Sequence, residues 1–118
     1  MAQHEHLPIY KKMFDLVVYT ERMVRNFSHY NKYTMGSEMR NTSREVLVLV
    51  IKANSEKDKK EALLKVREKV EELKLLARIA MEVKAFGSFK SFEYFVKELV
   101  EVGRQNEGWL RSQNYVPK

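Results

Sequence analysis

Three histidines are the ring-nitrogen ligands this sequence offers: His4, His6 and His29. His4-Glu5-His6 is a short run of metal-ligand residue types, and without Met1 the end Ala2-Gln3-His4 could chelate copper or nickel in a square plane. Nothing completes such a site. A di-metal helix bundle needs inward carboxylates and Glu-x-x-His pairs, and no helix of this sequence supplies one. Zero cysteines exclude a thiol nucleophile, a zinc ribbon, an iron–sulfur centre and a disulfide scaffold. Neither a glycine-rich phosphate loop nor a nucleophile elbow is present. The sequence therefore predicts no enzyme, no catalytic residues, no metal and no cofactor.

The basic residues say more. Lys and Arg number 22 against 16 Asp and Glu, giving a net charge of +6, and this favours an acidic partner, nucleic acid first. Lys90, Lys97, Arg104 and Arg111 recur at a spacing of seven and form one drifting helical stripe with Tyr94, Glu101 and Gly108. That stripe lies opposite Phe92, Leu99 and Leu110. Lys11, Arg22, Arg25 and His29 line the polar side of the first helix, and Arg40, Arg44 and Lys52 that of the second. The run from Glu56 to Lys74 nearly neutralises itself and reads as a solvated face, with Glu61–Lys65, Arg67–Glu71 and Arg78–Glu82 as i,i+4 pairs. Lys97, Arg104 and Arg111 are the first candidates for nucleic-acid contact; Arg22, Arg25, Arg40 and Arg44 stand behind them. Tyr10, Phe14 and Val18 follow i, i+4, i+8 off the core face of the first helix. With Val48 and Ile51 they exceed what one core absorbs, which predicts a homo-oligomer interface.

The elements carrying these residues are helices. The sequence has 118 residues without an internal repeat, and only four Gly and two Pro, which predicts one all-α domain over 1–118. Helices are expected at about 8–28, 33–54, 58–86 and 90–113, in an up-down-up-down four-helix bundle. Ile9, Met13, Leu16, Thr20, Met23 and Phe27 make the first seam. Met39, Ser43, Val46, Val50 and Ala53 make the second, and Leu63, Val66, Val70, Leu73, Ala77 and Ala80 the third. Phe92, Phe95, Leu99, Gly103, Asn106 and Leu110 point inward from the fourth. The run Val46–Ile51 also describes a buried strand, but its helix-forming flanks favour a helix buried on more than one side. Residues 28–32 read as a loop, and Gly87 with Ser88 ends the third helix. Gly103 marks a close approach of a neighbouring helix or large side chain. Trp109 fits a core or an interface, and Tyr115-Val116-Pro117-Lys118 is a short tail. No apolar run approaches the ~18 residues of a membrane span, and no signal peptide opens the chain, which predicts a cytoplasmic protein without membrane association.

Several short elements, in order, carry a resemblance: Leu7-Pro8-Ile9-Tyr10, Asp15-Leu16, Gly36 with Arg40-Asn41, Ala53-Asn54, Leu75-Leu76-Ala77-Arg78, and Glu101-Val102-Gly103-Arg104 through Gly108-Trp109. From Leu7 to Gln113 the sequence resembles Avd, the accessory variability determinants of diversity-generating retroelements. These sit within a wider group of four-helix-bundle proteins encoded by intervening sequences in 23S ribosomal RNA genes. The resemblance implies a barrel-shaped homopentamer that binds a reverse transcriptase and its RNA during mutagenic retrohoming, without catalytic residues of its own. Arg40, Arg78 and Arg104 match recurrent arginines of the family. Two other readings stay open: an intervening-sequence protein acting around ribosomal RNA, and an oligomeric scaffold that binds proteins only.

Overall fold

The computed structural model describes residues 4–114. Its main elements are α1 (Pro8–Arg25), a short α2 (His29–Tyr33), α3 (Met35–Ser55), α4 (Lys60–Glu82) and α5 (Phe89–Arg111), after a 3-10 turn at His4–His6. There is no strand among the described residues. Four long helices form a closed square: α1 packs against α3 and α5, and α4 against the same two. Consecutive helices are thus spatial neighbours around a four-helix bundle, as short connections demand. No helix of the described residues is long and apolar enough to cross a membrane.

The seams read from the sequence are the buried faces. Every residue of the first three is buried, and so are Phe95, Leu99, Asn106 and Leu110 of the fourth; Phe92 and Gly103 are half-buried. Val46–Ile51 is helical: Val46 and Val50 are buried, Leu47, Leu49 and Ile51 half-buried, and only Val48 is exposed. Two flanking helices, α1 and α4, cover the sides of α3 and explain why it is apolar nearly all round. Trp109 packs on the inside, against the main core and a small cluster of Ala53, Ala62, Leu63 and Leu110. Two buried side chains donate to backbone carbonyls, one within its own helix and one across to the neighbouring helix. Thr20 Oγ1 donates to the Leu16 carbonyl at 2.7 Å, and Asn106 Nδ2 to that of Leu63 at 3.0 Å.

The ends differ from expectation. The first helix stops at Arg25, not 28, because the Asn26 N–H bonds to Met23 O and the Phe27 N–H to Val24 O, tightening the last turn as Phe27 folds inward. Residues 28–32 are not an irregular loop. Ser28 accepts the Asn31 N–H and starts α2, whose single turn is too short to show a period. The second long helix begins at Met35 rather than 33 and ends at Ser55. The third runs over 60–82, not 58–86. Lys84, at φ 60°, ends it in the left-handed conformation, with Ala85 N–H bonding to Ala80 O and Lys84 N–H to Met81 O. Gly87 has no positive φ and plays no part in that cap. The fourth runs over 89–111, capped by Ser88, whose hydroxyl accepts the Ser91 N–H.

Gly103 is not the tight glycine. A Cβ there would meet only Val70 Cγ1, at an ordinary 3.5 Å. Gly36 is the close one: a Cβ would sit 2.5 Å from Val24 Cγ1 and 3.1 Å from the Asn31 carbonyl oxygen. The first turn of α3 thereby presses against the end of α1 and against α2. At α3's other end the Lys59 ammonium donates to the carbonyls of Ala53, Asn54 and Glu56 at 3.0, 3.2 and 2.7 Å, completing groups the helix leaves open.

Candidate nucleic-acid interface

Several arginines meet at the junction Gly36 draws together. Between residues 21 and 45 the sequence holds Arg22, Arg25, Lys32, Arg40 and Arg44 against Glu21, Glu38 and Glu45, a net +2. Arg22 and Arg25 occupy the last turn of α1, are exposed, and form no ion pair among the described residues. Cations there also complement the partial negative charge of a helix C-terminus. Across from them, Arg40 and Arg44 of α3 share one carboxylate. Arg44 Nη2 bonds to Glu21 Oε2, and Arg40 Nε lies 3.9 Å from Glu21 Oε1. One carboxylate neutralises one guanidinium. The structure thus brings four of the seven sequence candidates, Arg22, Arg25, Arg40 and Arg44, to facing parts of α1 and α3.

The α5 stripe is exposed, as its spacing implies, but its charges are more dilute. Arg104 is engaged: its guanidinium makes three hydrogen bonds of 2.8–3.0 Å to Glu101. The Gln105 amide and then the Arg104 fork hold the Glu101 carboxyl below the usual carboxylate range. Lys97 and Arg111 form no ion pair among the described residues, yet 14 positions of helix put them ~21 Å apart. On α4, Arg67 reaches across to Glu107 with Nε and Nη2 at 2.9 and 2.8 Å, and Glu71 takes Lys74 at 2.8 Å. Glu61–Lys65 does form, at 3.9 Å. Two charged seams, Lys12–Glu98 and Arg67–Glu107, thus close the flanks of α5.

The apolar candidates divide. Phe14 and Val48 are exposed, while Tyr10, Val18 and Ile51 are half-buried, and Tyr10 stacks at 6.0 Å on Phe14 while packing on the core. The line on α1 is therefore less open than its spacing suggests, because α3 covers its inner flank. Further exposed apolar residues are Leu75 and Ile79 of α4 and its C-cap Val83, with Phe89 and Val100 of α5. Leu75, Ile79 and Val83 repeat the i, i+4, i+8 spacing of Tyr10, Phe14 and Val18, so the sequence carried that signal. Tyr30 and Tyr33 were also passed over in the sequence; aromatic rings interleaved with Arg25, Lys32 and Arg40 were the cue.

His4 Nδ1 finds no hydrogen-bond partner, and the ring meets Tyr10 edge-on at 4.8 Å. The chelating end at residues 1–3 and the tail at 115–118 lie outside the described residues. Among those described, no three His, Asp or Glu residues gather as metal ligands. A search of curated proteins returns no match. The model of the bAvd-like family matches residues 7–113, from the turn before α1 to the end of α5, and the chain belongs to that family.

Proposed function

We propose that this protein is a non-catalytic accessory subunit that binds RNA through the arginines of α1 and α3 and works beside a reverse transcriptase as a homo-oligomer. The observation that carries the RNA reading is the pair Arg22 and Arg25, exposed in the last turn of α1 beside Arg40 and Arg44 and without an acidic partner among the described residues. Lys97 and Arg111 add a more diffuse contribution. Family membership supports the accessory role, and the reverse transcriptase as partner follows from what the family resemblance implies. Exposed apolar residues on α1, α3, α4 and α5 support self-association, and the resemblance makes five the expected number of subunits.

Phosphate contacts made by arginines neutralise charge without reading sequence, so affinity must fall with salt. Each neutralised phosphate of a single strand contributes about −0.7 to the log–log slope, and four to six contacts give roughly −3 to −4. Arg22→Glu/Arg25→Glu should weaken RNA binding more than Lys97→Glu/Arg111→Glu and flatten the slope by roughly 1 to 1.5. Fluorescence anisotropy across a salt series measures both. An Arg22→Glu/Arg25→Glu protein that binds as the parent does refutes the assignment.

A further inference from the structure

We infer that Tyr30 and Tyr33 form a base-stacking platform beside the arginines, so that this surface takes unpaired RNA in preference to duplex. The inference rests on the RNA reading above and names the class of RNA. Tyr30 is 75% exposed and Tyr33 64%, more than any exposed large apolar side chain such as Val48 or Leu75. Rings left in water make no packing contribution to the bundle. They stand three residues apart on α2, so they share one side of a single helical turn. His29 meets Tyr33 edge-on with ring centroids 4.9 Å apart, restricting that ring while leaving it exposed.

The platform is also held in place. Ser28 caps α2, the Thr34 hydroxyl donates to the Tyr30 carbonyl at 2.9 Å, and Gly36 lets α3 close on Val24, Phe27 and the Asn31 carbonyl. The rings therefore sit on a fixed turn between Arg25 and Arg40, not on a wandering loop. Cations that track phosphates, with aromatic faces beside them, are the combination that holds single strands, since every base offers a π-face. A duplex hides those faces within its stack and presents only edges, sugars and phosphates. Arginines alone would bind either form. Exposed tyrosines add affinity only for bases that can leave the stack.

The test uses the full chain with a labelled single-stranded RNA 12-mer and an RNA duplex of the same length, by anisotropy at one moderate salt concentration. Tyr30→Ala and Tyr33→Ala should each weaken single-strand binding about 5- to 150-fold, the range of base–aromatic stacking, with duplex affinity changed less than about twofold. Tyr30→Phe and Tyr33→Phe should retain binding, because the ring and not the hydroxyl acts. Unchanged thermal melting of the alanine variants checks that α2 stays packed. Alanine variants that bind single strands as the parent does, or that lose duplex equally, overturn the stacking inference. If those variants are silent while Arg22→Glu/Arg25→Glu abolishes binding, the platform falls and the RNA reading stands. A parent that binds neither RNA refutes both.

Discussion

Glu107 on α5 and Arg67 on α4 show how a single pair can stiffen a helix contact without dominating its energy. The Arg67 fork lowers the Glu107 carboxyl below its usual range, chiefly by hydrogen bonding. A depressed folded value contributes stability above the unfolded carboxyl value and loses it as pH falls through the folded one. Both side chains are 38% exposed, so screening leaves under about 1 kcal/mol at neutral pH. Arg67→Met should therefore lower stability slightly at pH 7, and the gap from the parent should narrow in acid, as pH falls through the lowered Glu107 value. Urea unfolding at neutral and acid pH measures it; a gap of equal size in acid would mean that Arg67 acts through packing alone. On the surface, residue identity alone did not separate engaged from available cations. Arg104 and Arg111 look alike in the sequence, yet Glu101 takes one and leaves the other.

The helices themselves carry the clearest imprint of the sequence. Alternating steps of three and four located the seams of α1, α3 and α4 because a helix buried on one side must repeat that way. Their ends were harder to read. Ala85 and Phe86 are buried beyond the end of α4 in a non-helical turn, so apolarity there marks core without marking helix. Lys84 adopts the left-handed conformation with no glycine to announce it. Glycine misled in a second way, since Gly36 and Gly103 read alike until their surroundings are known. Gly103→Ala should stabilise by up to about 1 kcal/mol, as its Cβ meets only Val70 at 3.5 Å. Gly36→Ala should cost about 1 to 3 kcal/mol, because its Cβ would lie 2.5 Å from a buried Val24 methyl. Thermal melting of the two variants tests the contrast, and equal shifts would refute it.

At the scale of the whole molecule, exposed apolar residues are spread over the four long helices: Phe14 on α1, Val48 on α3, Leu75 and Ile79 on α4, and Phe89 and Val100 on α5. Unlike apolar sets, one on α1 and α3 and one on α4 and α5, suit a head-to-tail contact that closes into a ring, whereas a two-fold dimer needs one self-complementary patch. In the proposed oligomer, Leu75→Lys/Ile79→Lys and Phe14→Lys/Val48→Lys should each give a 14.1 kDa monomer by light scattering. A parent already monomeric at micromolar concentration refutes self-association; dissociation by only one of the two variants refutes the head-to-tail arrangement. Spacing set both apolar lines apart from the core seams in the sequence, but how open each one stays depends on the neighbouring helices. Gly36 carries a last consequence. The cations of α1 and α3 hang from two helix ends whose separation is fixed by a hydrogen atom where other residues have a carbon. The gauge that sets the distance between phosphate-binding groups is thus an uncharged position in the interior, and a change there would read at the surface as a loss of fit, with every arginine still in the sequence.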